Sequence, residues 1–91
     1  MTSIAFRVLA SSGSDDAWFE DGVSANAAVA ERLHIPLDQV DVLRRRITID
    51  PVVVRRDGAR WRSRQVWSIR NGTASVRIFE MLLIDEEIYD H

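Results

Sequence analysis

The sequence predicts an α+β domain in which one helix packs on a mainly antiparallel sheet, in the order β-(β)-α-β-β-β. Three observations predict it. Asp57-Gly58 and Asn71-Gly72 favour two-residue hairpin turns and lie between strand-forming runs, giving a three-stranded C-terminal meander. Residues 4–10 alternate with the period-two pattern of a strand. Between these regions, Ala25, Val29 and Leu33 recur at spacing four in an alanine-rich run, the signature of one buried helical stripe. Ninety-one residues make one domain, with 46% hydrophobic residues to fill one core.

In chain order, the first strand puts Ile4, Phe6 and Val8 on one face. Residues 11–16 are turn-like in composition, and residues 17–20 can form a short return strand. Ser24 is the expected N-cap of a helix over residues 25–34, which Ile35-Pro36 ends because proline disfavours helical geometry in the residue before it. Residues 37–49 are ambiguous between helix and strand. A short turn at 37–39 followed by a strand from about Asp41, kinked at Arg44-Arg45-Arg46, fits the pattern better than a helix carrying Leu37, Val40, Arg44 and Ile47. Asp50-Pro51 breaks the chain before the meander.

If both dipeptides form tight turns, the register follows. Arg56 then faces Ala59, Arg55 faces Arg60 and Val54 faces Trp61; around the second turn Arg70 faces Thr73, Trp67 faces Val76, Gln65 faces Ile78 and Arg64 faces Phe79. One side collects Val52, Val54, Trp61, Trp67, Ile69, Val76, Ile78 and Leu82 as the core face. The other collects Val53, Arg55, Arg60, Arg62, Arg64, Val66, Arg70 and Arg77 with Phe79 and Met81.

That sorting gives meaning to the charge distribution. Every basic residue is arginine, and residues 44–77 carry +8 while the rest of the chain carries −10, for a net charge of −2. The expected binding surface is therefore Arg55, Arg60, Arg62, Arg64, Arg70, Arg77, Phe79 and Met81, an arginine and aromatic face suited to carboxylates or phosphates. Acids Asp85, Glu86, Glu87 and Asp90 in the tail can fold over this face and compete with an acidic partner.

Other constellations carry less chemistry. Residues 30–43 resemble a helix-turn-helix, with alanine in the first helix and apolar Val40 and Leu43 in the second. They depart from it in having His34 where glycine is usual, and acids Asp38 and Asp41 that would repel DNA phosphates. Asp15, Asp16, Glu20 and Asp21 lack the spacing of a calcium loop and read as a solvated turn. His34 and His91 are the only histidines, and no nucleophile, phosphate loop or metal-ligand spacing is legible. Glu80 is expected on the core face opposite Ser63. No cofactor and no metal are expected, and the chain is not expected to be an enzyme.

The expected function is a small protein-binding module (inhibitor, adaptor or regulatory protein) that docks its arginine face on an acidic protein surface. In size, charge split and lack of catalytic parts the chain resembles small phage-borne inhibitors of host defence proteins and immunity-type proteins. The alternative is a nucleic-acid binder using the same face, which a pI near 5.6 disfavours. A homodimer is compatible with this size. The absence of cysteine and of long apolar runs points to a soluble cytoplasmic protein with no membrane partner.

Overall fold

The computed structural model describes residues 3–11 and 16–86. It is an α+β fold with two helices and a six-stranded antiparallel sheet. The elements run β1 (Ile4–Ala10), β2 (Asp16–Phe19), α1 (Gly22–Leu33), α2 (Leu37–Leu43), β3 (Arg45–Arg46), β4 (Val52–Arg56), β5 (Ala59–Asn71) and β6 (Ala74–Glu86). Strand order is β2-β1-β6-β5-β3, with β4 also paired to β5. Strands β5 and β6, thirteen residues each, form the spine of a molecule 49 × 24 × 22 Å in extent.

Helix α1 begins earlier than Ser24 predicts. Asp21 is the N-cap, its carboxylate accepting from the Ser24 amide at 2.7 Å, so Ser24 lies inside the first turn. The predicted stripe is buried: Ala25, Val29 and Leu33 are all at most 2% exposed, joined by Ala28 and Ala30. The helix closes on His34 in the left-handed region (φ 54), whose amide donates back to Ala30 and Glu31. Glycine is favoured there because a Cβ strains this conformation. His34→Gly should therefore raise stability by about 0.5–1 kcal/mol, measured by urea unfolding.

The 37–49 segment corrects the sequence reading. Residues 37–43 are helical, and only Arg45–Arg46 are strand, not the stretch from Asp41. Val40 explains the outcome. It is completely buried, in one core cluster with Val29, Leu33 and Ile69, and Asp38 stands in the first turn where the helix dipole favours an acid.

The first hairpin has the predicted register, with Arg55 opposite Arg60 and Val54 opposite Trp61. Asp57 and Gly58 both have positive φ, as a type I′ turn requires. The second hairpin is displaced. Asn71 pairs with Ala74, so the turn residues are Gly72-Thr73, and the positive φ at Gly72 but not Thr73 fits type II′. Asn71 is occupied elsewhere: its amide donates at 2.7 Å to the Leu33 carbonyl, tying the hairpin to the end of α1. Arg70 therefore pairs with Ser75, Trp67 with Ile78, Gln65 with Phe79 and Arg64 with Glu80.

Two bulges then decide which residues share a face. Val66 has no partner on β6, and Ile84 has none on β5. An extra residue in one strand flips every later side chain relative to a regular ladder. Trp67, Ile69, Val76 and Ile78 lie under the helices with Val8 and Ala10. Beyond the Val66 bulge, the same face carries Arg64, Arg62 and Arg60, whereas Gln65, Ser63 and Trp61 turn to the far face. Val52, Val54 and Trp61, expected in the helix-side core, therefore sit opposite it.

The far face has its own small core. Met81 is fully buried between Ala5 and Ser63 in a cross-strand row. Trp18 and Trp61 meet edge to face with ring centroids 5.2 Å apart, and the Arg56 guanidinium lies 4.2 Å from the centre of the Trp18 ring. Strands β2 and β5 are three sheet positions apart, roughly 14 Å in a flat sheet. Their ring contact means that the sheet curls around Met81.

Candidate functional site

The eight residues expected to form one surface are divided between the two faces. Arg55, Arg60, Arg62 and Arg64 lie on the helix side, past the end of the helices. Arg70, Arg77, Phe79 and Met81 lie on the far side. Met81 is a correction in kind as well as place, since a fully buried side chain presents nothing to a partner. The cause is the Val66 bulge, which a strict period-two reading cannot contain.

On the helix side, α1 and α2 cover only the half of the sheet built from Val8, Ala10, Ile69, Val76 and Ile78. The distal half is open. Ile4 is 49% and Val53 58% exposed there, beside partly buried Phe6 and Leu82. Acids are interleaved with its arginines. Arg60 grips Asp85 with both arms, Nε to Oδ1 at 2.8 Å and Nη2 to Oδ2. Arg64 donates to Glu80 at 3.2 Å. Glu80 is thus a half-exposed ion-pair partner rather than a core carboxylate facing Ser63. Arg62 is exposed and makes no ion pair among the described residues. Of the acidic tail, Asp85 and Glu86 belong to β6; Glu87, Asp90 and His91 lie outside the described residues.

The Arg44-Arg45-Arg46 run, which the sequence could not place, forms the sheet edge beside Trp67. Arg44 stacks on the Trp67 ring at 4.2 Å from its centroid, Arg46 lies at 6.0 Å, and Arg45 points to the far face. Alternation along a two-residue strand opposite Trp67-Ser68 produces that split. A tryptophan opposite an arginine run was the available signal, and β3's register was needed to use it.

On the far face, Arg7 holds Asp16 by two hydrogen bonds of 2.7 Å, and Arg7 and Arg77 both approach the Phe79 ring, at 5.7 and 5.6 Å. Phe79 therefore anchors guanidinium groups rather than standing free for stacking. Asp16 and Asp21 are thus spoken for, and Asp15 lies outside the described residues. The two helices over residues 22–43 give the helix-turn-helix resemblance its outline, but exposed Asp38 and Asp41 lie on the seven-residue second helix.

Three carboxyls are held below the ordinary range: Asp16 by hydrogen bonds from Arg7, Asp85 by those from Arg60, and Asp21 by the Ser24 amide. A folded value below the unfolded one means that the unfolded chain binds more protons, so stability rises with pH through that window. The contribution is complete above about pH 5, where an unfolded aspartate is almost fully ionised, and is lost as pH falls through the unfolded and then the folded values. Thermal unfolding should show a steady melting temperature from neutral pH to about pH 5 and a progressive fall below pH 4. A flat profile down to strong acid would mean that these exposed pairs contribute nothing.

No helix among the described residues is long and apolar enough to cross a membrane. Comparison of the chain with protein-family models, with curated proteins and with solved structures gives no match.

Proposed function

We propose that this chain is a non-enzymatic binding module, an inhibitor, adaptor or regulatory subunit, that docks the distal half of its helix-side sheet face on an acidic protein surface. The observation that supports the reading is the unfinished cover of that face. The helices stop short, leaving exposed Ile4 and Val53 beside exposed Arg62 and Arg64. Aliphatic side chains bordered by arginine suit the centre of a protein interface, where guanidinium groups meet carboxylates in forked geometry. A nucleic acid fits this half less well, because Glu80 and Asp85 stand among the arginines and repel phosphates.

The test is capture from an extract of the source cells by wild type and by Arg62→Glu/Arg64→Glu. Wild type should retain an acidic protein, released by salt, and the double variant should lose it while its circular dichroism stays unchanged. Equal capture by both would reduce this face to a solvated surface. Capture that nuclease treatment abolishes would shift the reading to nucleic acid. Asp85→Asn removes a negative charge from this face, so it should strengthen capture of an acidic partner and slow release in a salt-wash series.

A further inference from the structure

We propose that the far face, at the end of the sheet behind the helices, carries a second binding site, and that its ligand is a small phosphate-bearing molecule. The site goes beyond the docking surface and lies on the opposite side of the sheet. Cross-strand pairing sets Arg45 opposite Ser68 and Ser68 opposite Arg77, while Arg70 is the next residue along β5 on that face, opposite Ser75. Leu43, Arg45, Ser68, Arg70 and Gly72 line one surface cleft of about 450 Å³, a size suited to a small ligand. Arg45, Arg70 and Arg77 are all exposed, and none makes an ion pair among the described residues. Among the described residues, the one strand carboxylate in this half of the face is Asp16, already held by both arms of Arg7.

The class of anion follows from donor number. A carboxylate is satisfied by a single guanidinium fork, as Asp16 is by Arg7 and Asp85 by Arg60. Two forks and a serine hydroxyl directed at one cleft match an anion with three or more acceptor oxygens. A phosphate group has them, and its double charge suits arginines set within about 10 Å of one another. No aromatic ring lines the cleft, so it offers no platform for stacked bases, and a nucleic-acid track is the poorer match.

Inorganic pyrophosphate is the probe, titrated into the full chain by calorimetry at low and at physiological salt. Binding should weaken as salt rises. Arg45→Ala and Arg70→Ala should each reduce affinity about tenfold or more, the loss expected for one charge-assisted contact. Arg56→Ala removes the same charge from the β4 hairpin, and should leave pyrophosphate affinity unchanged. Circular dichroism checks that each variant is folded. No binding by wild type, or equal weakening by all three variants, would overturn the site. A short single-stranded oligonucleotide that binds far more tightly than pyrophosphate would overturn the small-ligand assignment. Loss of protein capture in Arg62→Glu/Arg64→Glu does not bear on this site, so the two readings fail independently.

Discussion

Met81→Ala should lower unfolding free energy by about 2–5 kcal/mol, the range for truncating a fully buried methionine and leaving a cavity. For a domain this size total stability is about 5–14 kcal/mol, so that loss is a large fraction of the whole. The melting temperature should fall by roughly 10 °C or more. The cost arises because Met81 has no exposure and lies where the sheet curls, between Ala5 and Ser63, which are too small to fill its place. Met81→Leu, nearly equal in volume, should cost less than about 1.5 kcal/mol. Both variants should still capture the partner at temperatures where they are folded. A Met81→Ala protein with wild-type stability and lost capture would return this residue to an outward-facing role.

Deletion of Val66 should be more severe still. Without the bulge, the ladder from Trp67 continues regularly, and every residue before it on β5 changes face. Arg64, Arg62 and Arg60 would turn toward Met81, while Trp61 and Ser63 would turn to the open side. Several charges brought against an apolar cluster without partners cost more than the domain's margin. The expected result is loss of cooperative thermal unfolding and of the near-ultraviolet circular dichroism from the Trp18–Trp61 pair. Val66→Ala keeps the bulge and should lose only about 1 kcal/mol. A deletion variant with the wild-type signal would mean that the bulge migrates along β5 at no cost.

Much of the architecture was readable from local chemistry. Asp57-Gly58 set the first hairpin because both positive φ values come from the dipeptide itself. Val29 and Leu33 located the buried stripe because helical spacing needs no tertiary information. The misplaced features all depend on something distant. The second turn moved one residue because Asn71 serves the Leu33 carbonyl, thirty-eight positions away. Residues 37–43 became helix because Val40 finds a place against α1. The candidate surface divided because Val66 bulges, and bulges answer to sheet curvature rather than to any local pattern. Arg62 and Arg64 were legible as a neighbouring pair on one face; Arg45 joined Arg70 only through the pairing of β3.

The long β5–β6 ladder ties two unequal clusters together, and this gives the domain an uneven resistance to opening. At one end the ladder is covered by two helices; at the other it holds Met81, a tryptophan pair and ion pairs in water. Amide hydrogens near Ile69 and Ile78 should exchange with solvent only when the whole domain opens. Those near Arg62 and Leu83 should exchange sooner, through separation of the distal ribbon alone. The half that carries the proposed docking face is then the half that breathes, and a partner closing over it would slow its exchange first.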